Sequence, residues 1–217
     1  MRSSQATASV VPSNPASFQE AVNQPGDSFR AELRAHQQRV GEMARILAAR
    51  AGYPAHQAVT IGQAATLYEI GKLFVRRSIF HKPGALLPEE EAEARTHTTR
   101  GHWALRRGHD PISKLAARMA LEHHEHWDGS GYPQGLSGTQ ISPEARMVTI
   151  CDAYVMLREA RPHRAGLPHD EAMAIMLCGD DKISPSFFDP SLLAVFLANG
   201  EQFRRWWDTT GAGPTAE

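Results

Sequence analysis

From Phe29 onward, apolar side chains recur at every third or fourth position, the period of a helix with one buried face. Phe29, Leu33, His36, Val40, Met43, Ile46 and Leu47 form the first such stripe, and Gly52 and Pro54 end it. The pattern predicts a second helix from about Ala55 to Leu73, with Val59, Ile61, Ala65 and Leu67 inward. An irregular link from Arg76 to Pro88 follows, punctuated by Pro83-Gly84. Pro88-Glu89-Glu90-Glu91 puts proline in a first turn and acids at the positive end of a helix, so a third helix is predicted to about Arg107. A fourth is predicted from Ile112 to about Glu125. His126 to Ser142 holds Gly129, Gly131, Gly135, Gly138 and Pro133, a loop composition. Ser142-Pro143-Glu144 opens a fifth helix through Met147, Ile150, Tyr154 and Leu157. Pro168 to Leu177 and Pro190 to about Trp207 supply the remainder. Strand-type alternation is missing from the pattern, so an all-α domain of about seven helices is predicted.

Composition changes this picture little. The 217 residues suffice for one well-cored domain, and 41% hydrophobic with 22% charged residues reads as an ordinary globule. A formal net charge of -1 supplies no basic field for a nucleic acid polymer. No apolar run approaches membrane-spanning length and the first residues lack a signal-peptide core, so a cytoplasmic location is expected. Residues 1–27, rich in Ser, Ala, Pro, Gln and Asn, read as a flexible arm. Residues 28–208 read as the folded domain and 209–217 as a flexible tail. Cys151 and Cys178 are isolated and expected to be buried thiols. Trp206-Trp207 either packs on the core or makes a homodimer contact, packing being the commoner fate.

The candidate chemistry lies in histidines and acids on or beside these apolar stripes. His123-His124-Glu125 precedes the glycine-rich loop, and imidazoles with carboxylates suit a divalent transition metal. Glu32 and His36, four apart, share a helix face. His97 and Asp152 lie in the third and fifth helices, and Glu69 near the end of the second. An unpaired polar group on an apolar stripe is costly, and convergence on one cation would remove that cost. His56, His81, His102, His109, His126, His163 and His169 read instead as surface or hydrogen-bonded residues.

Taken together, these segments resemble the HD-GYP domains, a subgroup of the HD-superfamily metal-dependent phosphohydrolases, from about Phe29 to Ala174. His36-Gln37-Gln38-Arg39-Val40 resembles the opening histidine helix, and His97-Thr98-Thr99-Arg100-Gly101 a later histidine motif. His123 through Gly138 is similar to the long GYP loop. Asp152 and Arg161-Pro162-His163-Arg164 resemble the following helix and its end. The resemblance implies an HD-type helical bundle with a long GYP loop that hydrolyses cyclic di-GMP or a related nucleotide. It implies one to three divalent ions, iron or manganese foremost, and a possible GGDEF-domain partner.

By the same resemblance, one ion would use Glu69, His97, His123 and His124. Another would use His36 and Asp152 with Glu69 as the bridge, and Glu32 would help hold a third. Lys72 and Glu69 would be catalytic. Lys72, Tyr132, Arg161 and Arg164 would contact the nucleotide. Two departures stand out. The family's His-Asp signature is Tyr68-Glu69 here, in Leu67-Tyr68-Glu69-Ile70-Gly71-Lys72-Leu73. A phenol binds a divalent ion only after losing a proton with a reference pKa near ~10. The expectation is therefore that the first ion loses one protein ligand while the second keeps its set. Val155 replaces an acid common in the family. The enzyme reading thus implies impaired turnover, and the alternative is a silent nucleotide-binding or partner-docking module.

Overall fold

The computed structural model describes residues 28–160 and 165–210. Helices α1 (Ser28–Arg50) and α2 (Ala55–Ala65) pack side by side, and α1 also lies against α7 (Pro143–Arg158). Between them come α3 (Arg77–Phe80), α4 (Pro88–Arg95), α5 (His97–Leu105) and α6 (Pro111–Glu122). The chain closes with α8 (His169–Cys178), α9 (Pro190–Ala198) and α10 (Gly200–Thr210). Short 3-10 turns occupy Ile70–Phe74, Gly138–Gln140 and Pro185–Phe187, and no strand occurs among the described residues. The all-α expectation holds. The first predicted stripe holds too: Phe29, Leu33, Val40, Met43, Ile46 and Leu47 are buried on α1.

Three predicted helices are shorter or broken, each for a local reason. The second ends at Ala65, where the Thr66 hydroxyl takes the Gln63 carbonyl at 2.8 Å. The third breaks at Thr96 between α4 and α5. There the Thr96, Thr98 and Thr99 hydroxyls and His97 Nδ1 all bond carbonyls three residues back, competing with the helix ladder. The last breaks at Asn199, whose side-chain amide donates to the Val195 carbonyl at 2.8 Å. Asp110 and Asp189 accept backbone N–H bonds ahead of Pro111 and Pro190, which sets the starts of α6 and α9. Helix α10 continues to Thr210, past the predicted boundary at 208; residues 1–27 and 211–217 lie outside the described residues.

Helix α7 is the axis of the core. Met147, Val148, Ile150, Cys151, Tyr154, Val155 and Leu157 are all buried on it, so it is covered on most sides, and it carries Asp152 into that interior. Val155 is a packing residue of this core. Phe196, Phe203 and Trp207 close on Tyr154, so the Trp206-Trp207 pair does pack inward. Tyr154 also bonds His169 Nδ1 at 2.9 Å, a hydrogen-bonded core role for that histidine. Cys151 is buried as expected, whereas Cys178 is exposed at the end of α8. Among the described residues no helix is long and apolar enough to cross a membrane.

Candidate metal centre

Four side chains from three places in the chain meet at one point. Glu69 comes from the turn after α2, His97 from the first residue of α5, and His123 and His124 from the end of α6. Their ligand-type atoms all lie within 4.8 Å of one another. A tetrahedral zinc-like ion with bonds of roughly 2.0–2.2 Å holds its ligand atoms about 3.4 Å apart, close to the 3.2 and 3.3 Å that separate His97 Nε2 from His123 Nε2 and from Glu69 Oε2. Gly71 sets the approach. A Cβ there would meet the His97 carbonyl oxygen at 1.8 Å and the Gly101 nitrogen at 2.7 Å, so only glycine lets the Glu69 turn lie on α5.

The donor atoms themselves call for a cation. His97 Nδ1 lies 2.7 Å from the Ala94 carbonyl, and His123 Nδ1 lies 3.0 Å from the Met119 carbonyl. Carbonyls only accept, so both Nδ1 atoms carry hydrogen and both Nε2 atoms present lone pairs inward. Those Nε2 atoms are 3.2 Å apart, and Glu69 Oε2 lies 3.3 Å from that of His97. Glu69 Oε2 is buried and accepts no hydrogen bond among the described residues. Three lone-pair atoms thus face one another. Burial pushes His97 down to about 4 and His124 well below the ordinary imidazole value, so these rings are neutral, as ligands must be. Burial would raise the Glu69 carboxyl, but Lys72 and then the neighbouring imidazoles hold it down to about 2. Lys72 pairs with Glu69 Oε1 and rests over the Phe80 ring. The residues present fit a divalent ion.

The other expected ligands form a separate group. His36 Nε2 lies 2.9 Å from Asp152 Oδ1, and the Tyr68 hydroxyl reaches both, at 2.8 Å each. His36 Nδ1 lies 2.8 Å from Glu159 Oε2, whose other oxygen accepts from Arg39 at 2.9 Å. Burial opposes charge on His36, yet Asp152 and Glu159 together raise it to about 9. Burial holds the Tyr68 phenol well above its ordinary value, in the protonated form. Its ring stands edge-on to His123, with centroids 4.8 Å apart, between the two groups.

Several expectations are corrected here. Tyr68 takes nothing from the group of Glu69, His97, His123 and His124; its hydroxyl sits with His36 and Asp152, because the turn after α2 sends neighbouring side chains to opposite sides. Glu125 is not a donor beside His123-His124. Its carboxylate turns into the loop and accepts from the Gln134 and Leu136 amides at 2.7 and 2.9 Å. Glu32, expected to help hold a third ion, is exposed on α1 and joins no ligand cluster among the described residues. Arg161 and Arg164 lie outside the described residues. Tyr132 does reach the centre, stacked on His124 with centroids 4.7 Å apart.

Sequence reasoning missed Glu159 and Arg95. Glu159 had a signal, since it follows Asp152 by two helical turns on the same face. Arg95, whose guanidinium lies 4.7 Å over the Tyr132 ring, had none. The loop itself is built from the residues that the sequence singled out. A Cβ on Gly131 would strike the His126 nitrogen at 2.3 Å and the His124 carbonyl at 2.4 Å. His126 stacks on Phe187 at 3.8 Å, and Asp128 Oδ2 accepts from the Ser186 hydroxyl at 2.7 Å.

Comparison with known proteins identifies the family. The HD domain family matches residues 28–190. A cyclic di-GMP phosphodiesterase of Thermotoga maritima is 34% identical over 178 residues, covering 82% of this chain and 47% of that protein. A probable cyclic di-GMP phosphodiesterase of Vibrio cholerae is 37% identical over 150 residues, covering 66% of this chain and 33% of that protein. The chain therefore spans between a third and about half of the length of these relatives. Among solved structures, an HDG"Y"P protein from Bdellovibrio bacteriovorus shares the fold, with a TM-score of 0.57 at 19% identity, covering 86% of this chain and 57% of that one.

Proposed function

The chain belongs to the HD domain family, in its HD-GYP subgroup, and from that membership we propose that it is a metal-dependent phosphodiesterase domain acting on cyclic di-GMP or a related cyclic dinucleotide. The observation that carries the reading is the inward-facing set of lone pairs on Glu69, His97 and His123, joined by the neutral ring of His124. An ion held there would polarise a phosphate oxygen and make a bound water acidic enough to attack phosphorus. Iron and manganese suit these imidazole and carboxylate donors.

The remaining residues bind and orient. Lys72, held beside the centre by Glu69, meets the charge of a substrate phosphate. Tyr132, stacked on His124, and Arg95, over the Tyr132 ring, offer an aromatic and a cationic face to a nucleotide, and Arg161 and Arg164 supply guanidinium forks for phosphate oxygens. Turnover is slow, because the group around His36 offers hydrogen bonds in place of a second Lewis acid.

The test is hydrolysis of cyclic di-GMP by protein purified without oxygen and loaded with manganese(II) or iron(II), followed by chromatography. Slow, chelator-sensitive cleavage is expected, and His97→Ala should lower it by at least about a hundredfold, more than loss of an outer-shell partner. A second reading, nucleotide binding without turnover, is favoured by the hydrogen-bonded closure at Tyr68. Tight binding by calorimetry with no product from any loaded form would decide for it.

A further inference from the structure

We infer that this chain carries a single-ion centre at Glu69, His97, His123 and His124, and that the Tyr68 hydroxyl and the His36 imidazole close the neighbouring position between Asp152 and Glu159 by filling it with hydrogen bonds. The inference rests on the metal reading of the four-residue group and adds which position is kept and what occupies the other.

The argument is one of donors and acceptors. His36 has carboxylate oxygens at 2.8 Å from Nδ1 and 2.9 Å from Nε2. Both ring nitrogens thus face hydrogen-bond partners, Glu159 on one side and Asp152 with the Tyr68 hydroxyl on the other. Asp152 Oδ1 already accepts from Tyr68 and from His36. Admitting a cation there would displace the Tyr68 hydroxyl from both His36 Nε2 and Asp152 Oδ1. The Tyr68 side chain is wholly buried, and its hydroxyl lies where the two partners converge. Glu69 does not bridge the two positions, because Oε1 is paired with Lys72 while Oε2 faces the imidazoles. The tyrosine is thus a replacement part: it removes a ligand and completes the hydrogen bonds that the lost ion would have left open.

The measurement is the metal-to-chain ratio of the full chain titrated with manganese(II), by elemental analysis after desalting and by electron paramagnetic resonance. One ion per chain is expected, without the exchange-coupled signal of a manganese pair. His97→Ala should abolish the bound ion, and Asp152→Asn should leave it in place. Tyr68→His combined with Glu69→Asp, its folding checked by circular dichroism, should raise the ratio towards two. Two ions in the unmodified chain would overturn the closure while leaving the metal reading intact. So would one ion lost with Asp152→Asn but retained with His97→Ala. No ion at all would overturn the metal reading itself. The unmodified chain needs no folded variant to give these answers.

Discussion

At Glu125 one carboxylate, 1% exposed, holds two backbone amides of the glycine-rich loop. Glu125→Ala leaves the Gln134 and Leu136 N–H groups without their acceptor in a part-buried setting. Bonds to a charged acceptor contribute about 1.5–3 kcal/mol each, so a loss of roughly 2–4 kcal/mol is expected, allowing for partial rescue by water. Urea denaturation reads it directly, and an unmoved midpoint would contradict the role given to this side chain. The same residue shows where sequence reasoning fails. Adjacency to His123-His124 suggested a shared metal, but consecutive side chains at the end of a helix diverge. Only His97 Nδ1 and His123 Nδ1, tied to carbonyls, show which atoms turn inward, and no residue pattern encodes that.

Among the elements, the contact that matters most joins the 3-10 turn Ile70–Phe74 to α5 through Gly71. Gly71→Ala would drive a methyl into the His97 carbonyl, and overpacking of this kind costs about 1–3 kcal/mol or more. The expected outcome is a lower melting temperature together with weaker manganese binding, since Glu69 and His97 would be pushed apart. Normal binding in the alanine variant would show that the approach does not set the centre. Most elements were legible from the helical period and from helix-start residues, as the stripe on α1 and the proline starts of α7 and α9 show. The breaks at Thr96 and Asn199 were not. They come from side chains capturing carbonyls of the preceding turn, an event that leaves hydrophobic spacing unaltered.

For the whole molecule, the two groups of titratable residues pull stability in opposite directions with pH. His36 is raised from 6.5 to about 9 in the folded state, so its contribution is full below 6.5 and fades as pH rises through about 9. His97 is lowered from 6.5 to about 4, and His123 and His124 are lowered too, so stability falls as pH drops below 6.5 towards 4. The chelated protein is therefore expected to be most stable near neutrality, with losses on both sides. His36→Asn should flatten the alkaline limb and spare the acid one. Chemical denaturation across pH 5 to 10 checks this, and an unaltered alkaline limb in His36→Asn would refute the assignment.

The loop from His126 to Ser142 is fastened at Glu125, at Phe187 through His126, and at Ser186 through Asp128. A wall held at three points is preorganised. The entropy of ordering it falls on folding, so an arriving nucleotide keeps more of its contact energy as affinity. Such stiffness also discriminates by outline, because a ligand of different curvature finds a surface that does not yield.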